Sequence, residues 1–558
     1  MLNKNLEQIK NKNLVLKLSS MDLKKSSENM SYCMTPTNDY LLMKNDVPID
    51  DIDNPRQAIK DMLKNSIKYE MHTNDIIVVF GIGLGYILDE VYNNYSSRII
   101  VYEPDIDLLH FVLNNIDIST HLASGRVYIT SNVNELKEQL SSIYITKDKV
   151  EVVYLKNYAV VKHQELLELT QAVYSTCEGK IVDINTITKY SINWLQNSIN
   201  NITNINTKNI YSLTDLEDKF KGQTALILAA GPSLTENIEL IKANRTKYVI
   251  FAVNKVVRDL AQHGIIADFI VCLDPSNIKY TLAGLEDYCS KVNCITDFQS
   301  DSEIFNYNFK KIFVSFSANN GIAKKLSGYN KQISLLDIGG SATTFALVAS
   351  NLMGFAKIVF SGLDLAFKDD VMYSTGETIN QTSERQISIG SATKDIVLVD
   401  SFDGKKIRTR VDYASFIQHF ENFIPKLNTK DVVNTTSFGA KINGMKYQRF
   451  DEIHFLFSST ATSIILGSVE PFKIAAKEWS QTELYAINSV ISILAQDVFS
   501  PALVSEITKS TLLYQYMQKD ILEVVQSKFN MDLAQDFIAN TKNAIKNVIE
   551  LLRNNNLS

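Results

Sequence analysis

The stretch ALILAAGPSL, residues 225–234, decides the fold. Its first six residues form a continuous apolar run, the pattern of a strand buried on both faces of a parallel sheet. Gly231, Pro232 and Ser233 break the run with a turn residue, a helix-opening proline and a small hydroxyl. Leu234, Ile238 and Ile241 then recur at helical spacing with mostly polar residues between them, which predicts a helix with one face on the sheet and the other in water. A strand, tight turn and helix in this order predict free helix N–H groups at the carboxyl edge of the sheet, where a phosphate is the natural occupant. A plain connection between strand and helix uses the same residue types, so the reading depends on what stands beside this turn.

Further apolar runs lie at 248–253, 269–273, 293–296, 312–316, 333–338 and 358–360. They end in Asn254, Asp274-Pro275, Asp297, Ser317-Ala318-Asn319, Gly339-Gly340-Ser341 and Ser361-Gly362-Leu363-Asp364. With the first, seven strand ends present Gly, Ser, Asn or Asp, and in an open parallel sheet such ends share the edge where ligands bind. Turn chemistry favours these residues at any strand end, but it does not require two Gly-Ser turns of the phosphate type in one sheet. Asp274 before a proline also fits an ordinary turn, and Asn254 also fits a helix N-cap. Ser341 can cap a helix too, yet Gly339-Gly340 before it permits close approach of a ligand to the backbone. Gly264 and Gly354 stand where helices should stop.

Composition sets the frame. A chain of 558 residues is too long for one ordinary core, and 45% hydrophobic residues is usual for a soluble globular protein. The net charge of −6 supplies no basic field for nucleic acid or acidic lipid. Five cysteines, Cys33, Cys177, Cys272, Cys289 and Cys294, are odd in number and lack metal-type spacing, which fits a reducing compartment. The polar start MLNKNLEQIKNKN carries no signal region, and no apolar run reaches the length of a membrane span. The expectation is a cytoplasmic protein of several domains.

Residues 1 to about 70 read as short amphipathic helices and polar loops. A strand at 76–80 then runs into Gly81-Ile82-Gly83-Leu84-Gly85-Tyr86 and a helix, and a second strand at 98–102 ends in Glu103-Pro104-Asp105. Glycine-rich turn, helix, strand and terminal acid make a nucleotide-binding half-unit, with the acid placed for a ribose hydroxyl. The order resembles the S-adenosylmethionine-dependent methyltransferases. Tyr86 stands where the third glycine of that fingerprint belongs, and nothing downstream supplies a methyl-transfer site, so a ligand-free Rossmann-like domain is the preferred reading. Strands at 127–130 and 150–155 complete it.

After 374 the segment TGETINQTSERQ reads either as a loop that closes over the sheet edge or as a surface insertion. A hairpin is expected at 396–411, turning at Asp403-Gly404, then an amphipathic helix at 413–426 and one more strand ending in Asn434-Thr435-Thr436. Beyond Pro471 the apolar spacing is helical, over 478–496, 504–528 and 532–553. The fold class is therefore α/β, with a Rossmann-like domain over 1–184, a central parallel-sheet domain over 185–470 and a C-terminal helical bundle over 471–558.

Taken in order, LILAAGPSL, the strand end at Asn254, GIIADFIVCLDP, DIGGSATTFALVASNLMGF, VFSGLDLAF and VVNTTSFGAKINGM resemble the motility-associated factor, or Maf, flagellin glycosyltransferases. The resemblance extends across the chain and includes GIGLGY…EPD. It implies a central domain similar to bacterial sialyltransferases that use CMP-activated donors, and transfer of a pseudaminic or legionaminic type of nonulosonic acid onto Ser or Thr of flagellin. Carried over by position, Gly231, Pro232, Ser233 and Asn254 contact CMP, with Gly339, Gly340 and Ser341 as the second donor-binding turn. No cofactor beyond the CMP-sugar is implied, and metal dependence stays open: no His/Cys cluster or paired DxD stands near the donor turn, and Asp369-Asp370 looks like a solvated pair.

The chemistry needs N–H and hydroxyl donors for the charge that develops as the glycosidic bond breaks, and a base for the acceptor hydroxyl. The family's histidine after the GxDLA segment is replaced by Met372-Tyr373-Ser374. Asp364, Asp274 and Glu377 are then the candidate bases, in that order, while His263 at a helix end reads as a capping residue. Two other functions remain. The same central domain occurs in archaeal pterin pyrophosphokinases, which use ATP and a metal, and a non-catalytic flagellin-binding scaffold is the third reading.

Overall fold

The computed structural model describes residues 1–145, 148–367, 396–456, 469–495, 499–521 and 534–557. The chain divides into two compact units, Met1–Asp183 and Ile184–Ser558, and the helix His163–Thr207 runs through the division. The helices after residue 471 belong to the second unit.

In the first unit, parallel strands lie in the order Val127–Thr130, Arg98–Tyr102, Ile76–Phe80, Val150–Tyr154. Ile76–Phe80 is buried along its whole length because helices cover both faces of a parallel sheet. The first 70 residues differ from the expected helices and loops. Met30–Met34, Tyr40–Lys44 and Val47–Pro48 form an antiparallel sheet of three strands.

The second unit is built on a sheet of ten strands. Its order is Leu335–Leu336, Ile312–Ser317, Asn293–Asp297, Phe269–Cys272, Val249–Val253, Thr224–Leu228, Lys357–Ser361, Val432–Asn434, Lys446–Tyr447, with Ile210–Ser212 also pairing to Ile312–Ser317. Every pairing is parallel. From Thr224–Leu228 the chain steps outward one strand at a time to Leu335–Leu336, then returns to lay Lys357–Ser361 on the other side of the first strand. The winding direction therefore changes between Thr224–Leu228 and Lys357–Ser361, the point at the carboxyl edge of such a sheet where two connections leave in opposite directions. The expected run 333–338 shrinks to the strand Leu335–Leu336, since it pairs with one neighbour at the sheet margin.

Two apolar layers sandwich this sheet. On one face Phe345, Ala346, Leu347 and Ala349 of helix Ala342–Leu352 pack with Ile227, Phe251 and Phe269, joined by Phe420 of helix Val411–Phe423. On the other face Leu226, Ile250 and Ile270 share a core with Ile238 and with Trp479, Ile487, Leu512 and Val548 of the C-terminal helices. The expected long helix over 504–528 breaks: Pro501–Ile507 and Thr511–Tyr516 are separate helices. The buried carboxylate of Glu483 causes the break by accepting Ser510 Oγ–H (2.8 Å) and the N–H groups of Thr511 (3.3 Å) and Leu512 (3.2 Å), which starts a new helix.

Candidate active site at the carboxyl edge of the central sheet

The turn after Thr224–Leu228 faces the turn after Lys357–Ser361 across the change in winding. Gly231 N–H donates to the Gly362 carbonyl (2.8 Å), and Ala229 N–H to the Ser361 carbonyl (2.9 Å). The backbones approach so closely that a Cβ on Gly231 would overlap the Gly362 carbonyl and the Asp364 carboxylate. Gly362, at φ +79°, would set a Cβ on the Ala229 carbonyl. Both positions need glycine for space, and Gly362 needs it for conformation as well.

Asp364 organises this junction. Its Oδ2 accepts Ser233 N–H (2.9 Å), and its Oδ1 accepts the Ser233 and Thr436 hydroxyls, the latter at 2.6 Å. Burial pushes the Asp364 carboxyl above the ordinary carboxylate range, against the bonds from Ser233 and Thr436, which pull it down. Asn237, on the helix Leu234–Ala243, reaches behind the turn to donate to Ser361 Oγ (3.1 Å) and Thr435 Oγ1 (3.2 Å). Asn434 donates to the Leu363 carbonyl (2.9 Å). Three strand ends are thus tied into one polar knot.

This knot corrects the expectation that the first turn leaves helix N–H groups free. Ser233 N–H is held by Asp364, Leu234 N–H by the Gly231 carbonyl (3.1 Å) and Thr235 N–H by the Pro232 carbonyl (3.3 Å). The chain's own carboxylate stands at the positive end of the helix, and Ser233 is fully buried. Gly231 and Pro232 are partly exposed and can touch a ligand with backbone and ring atoms.

The second turn is open. Ser341 caps helix Ala342–Leu352 by a reciprocal bond with Thr344 (Thr344 N–H to Ser341 Oγ 3.1 Å, Ser341 N–H to Thr344 Oγ1 3.0 Å). Among the described residues nothing accepts from the N–H groups of Ala342 and Thr343. Gly339, at φ +70°, makes the turn, and Gly340 is exposed with the imidazole of His419 beside it: a Cβ there would lie 3.5 Å from His419 Cε1. His419 bonds the Ser415 carbonyl through Nδ1 (2.9 Å), which sets Nδ1 as the protonated nitrogen and leaves Nε2 as an acceptor without a partner among the described residues.

The remaining edge residues fall into place along the same row. Asn254 is buried and donates to Asp274 Oδ2 (2.8 Å), so two neighbouring strand ends are linked. Asp274 is partly exposed, and its loop is held by Asn197, whose Nδ2 donates to the Pro275 carbonyl (2.8 Å). Asp297 lies deeper, accepting Ser315 Oγ–H (2.8 Å), and burial pushes its carboxyl up to about 6. Glu377, the segment TGETINQTSERQ, Met372–Ser374 and Asp369-Asp370 lie outside the described residues. His263 bonds the Asp259 carbonyl through Nδ1 (2.8 Å) at a helix end. Thr436 stands at a strand end expected from sequence, whereas Asn237 and His419 were not expected at the site. Asn237 carried a signal: it stands three residues after Leu234, on the apolar stripe. His419 carried none, because its meeting with Gly340 joins residues far apart in the chain.

Among the described residues no group of three His, Cys, Asp or Glu side chains is placed to hold a metal ion, and no helix is long and apolar enough to cross a membrane.

A solved Maf glycosyltransferase from Magnetospirillum magneticum AMB-1 aligns with 99% of this chain and 94% of its own, at a TM-score of 0.62 and 14% sequence identity. The two chains share a fold. Residues 196–370 match the family described as 6-hydroxymethylpterin diphosphokinase MptE-like. A Treponema pallidum (strain Nichols) protein described as uncharacterized is 28% identical over 126 residues, which is 22% of this chain and 56% of that protein. The chain thus spans little more than half the length of that relative.

Proposed function

We propose that this protein is a glycosyltransferase that moves a pseudaminic or legionaminic type of nonulosonic acid from a CMP-activated donor to Ser or Thr hydroxyls of flagellin. The observation that supports the reading is the likeness to a Maf glycosyltransferase over 99% of the chain, well beyond the central sheet. In this reading Gly231, Pro232 and Asn254 border the nucleotide, and the free N–H groups of Ala342 and Thr343 after Gly339-Gly340-Ser341 face the phosphate or the sugar carboxylate. Ser233 and Asp364 shape the donor turn from beneath it.

Transfer is a single displacement that inverts the anomeric carbon. The acceptor oxygen bonds to that carbon, the bond to the phosphate breaks with its electron pair leaving on CMP, and the hydroxyl proton goes to a base. Asp364 has both oxygens engaged, whereas His419 Nε2 stands without a described partner beside the open turn, so His419 is the favoured base and Asp274 the alternative. The experiment is intact-mass analysis of flagellin after incubation with the protein and CMP-pseudaminic or CMP-legionaminic acid. A sugar-sized gain is expected, lost in Asn254→Ala and lowered about 10²–10⁴-fold in rate in His419→Ala, the usual span for a general base. No gain with either donor refutes the reading, and full activity of His419→Ala transfers the base to Asp274.

A second reading rests on the match of residues 196–370 to the pterin diphosphokinase family. In that case the same edge binds ATP, and in the presence of Mg²⁺ the hydroxymethyl oxygen of 6-hydroxymethylpterin takes the β,γ-diphosphoryl group of ATP with release of AMP, while flagellin mass stays unchanged.

A further inference from the structure

The glycine-rich turn of the first unit has the backbone of a nucleotide site but is filled by the chain itself. Gly81, Gly83 and Gly85 take φ of +84°, +49° and +84° between the strand Ile76–Phe80 and the helix Tyr86–Asn94. In a working site these glycines leave room for a ligand's backbone and phosphates. Here a Cβ on Gly81 would lie 2.5 Å from the Tyr158 ring, and one on Gly83 would lie 2.8 Å from Leu155 Cδ1 and 2.9 Å from Asp50 Oδ1.

The acid after the second strand is turned inward as well. Glu103 accepts the N–H groups of Ile82 (3.0 Å) and Asp105 (3.0 Å) and the Tyr158 hydroxyl, so both oxygens are engaged by the chain, and the residue is fully buried. The Asp50 carboxyl faces the Leu84 N–H, and its Oδ2 is buried with no partner. Of the N–H groups that would greet a ligand's anionic group, that of Ile82 is held by Glu103 and that of Leu84 faces the Asp50 carboxyl.

We propose that the Asp50 side chain is the built-in ligand of this turn, standing where the anionic group of a nucleotide or adenosyl cofactor would lie, and that loss of its proton loosens the turn. The proposal is independent of the transferase reading of the second unit. Burial pushes Asp50 up to about 7, with Asp51 adding to the rise and the Leu84 N–H opposing it. Burial pushes Glu103 up to about 7 as well, against the bonds from Tyr158, Asp105 and Ile82. The charged and titratable groups around them are Asp51, Tyr86, Arg56 and Asp39 on the Asp50 side, and Tyr158, Tyr102, Asp105 with its partner Lys44, Lys162 and Glu165 on the Glu103 side. Among the described residues no lysine or arginine bonds either carboxyl. Each acid holds its proton more tightly folded than unfolded, so the stability it lends is complete below the ordinary carboxylate range and is lost as pH rises through about 7.

The test uses the full chain. Amide hydrogen exchange over residues 76–94, corrected for intrinsic rate, is followed between pH 5.5 and 8.5 for wild type, Asp50→Asn and Glu103→Gln. The opening constant is expected to rise by up to about tenfold per pH unit for each carboxyl and to level off above pH ~7.5. Each substitution removes one carboxyl's share, and Glu103→Gln keeps the test valid if Asp50→Asn does not fold. Calorimetric titration of wild type with S-adenosylmethionine and with NAD⁺ should give no heat of binding. One equivalent of either ligand bound, or a pH dependence in Asp50→Asn equal to wild type, overturns the proposal.

Discussion

Replacing Asp364 tests how the central site is held. The carboxylate receives three hydrogen bonds, from Ser233 N–H, Ser233 Oγ–H and Thr436 Oγ1–H. In Asp364→Ala the two hydroxyls can rotate to other acceptors, but Ser233 N–H is left buried without a partner. An orphaned donor costs about 1–3 kcal/mol, and the lost side-chain volume and charge-assisted bonds bring the total to about 3–5 kcal/mol. Asp364→Asn keeps one acceptor oxygen and removes the charge whose burial raises the acid. The neutral side chain avoids that desolvation cost, so its loss should stay near ~1 kcal/mol. The pH dependence gives a second readout. Because the folded carboxyl sits above its ordinary range, the stability it lends is full at low pH and lost as pH rises through its folded value, whereas the asparagine variant lacks this slope. The gap between wild type and Asp364→Asn should therefore narrow as pH rises. Urea unfolding followed by tryptophan fluorescence reports on this unit, since Trp194 and Trp479, the chain's two tryptophans, both lie in it. An Asp364→Ala midpoint within about 1 kcal/mol of wild type would refute the clamp, and an asparagine variant as damaged as the alanine would refute the dominance of burial.

Two further substitutions probe close approach and capping. Gly231→Ala drives a methyl group into the Gly362 carbonyl, a backbone atom that cannot swing away, so a loss of about 2–4 kcal/mol is expected by urea unfolding. Retention of wild-type stability would show that the two turns have room to part. Glu483→Ala removes the acceptor for Ser510, Thr511 and Leu512 and should cost about 2–4 kcal/mol, with faster amide exchange over Thr511–Tyr516; unchanged exchange there would remove Glu483 as the cap.

The strands were largely legible because their signal is local. Ile76–Phe80 and Arg98–Tyr102 begin and end where their apolar runs do, and the glycine stops at Gly264 and Gly354 both take positive φ. The break at Ser510 was not legible, since the helix periodicity continues across it and the capping carboxylate comes from another helix, at Glu483. The row of polar strand ends could also be read in advance, because parallel pairing brings every such end to one edge.

From ALILAAGPSL alone, the sequence determined a buried parallel strand, a turn and a helix, since periodicity and turn residues act over a few neighbours. Which of the two Gly-Ser turns is open was settled by tertiary structure. Asp364, 131 positions beyond Ser233, closes the first turn, while His419 comes to rest beside the second. The N-terminal glycines repeat the lesson: their φ angles were written into the residue type, but Asp50 and Tyr158 filling the space depends on where distant segments pack. Residue types fix what a turn can bind, and packing decides whether the chain itself already occupies the place.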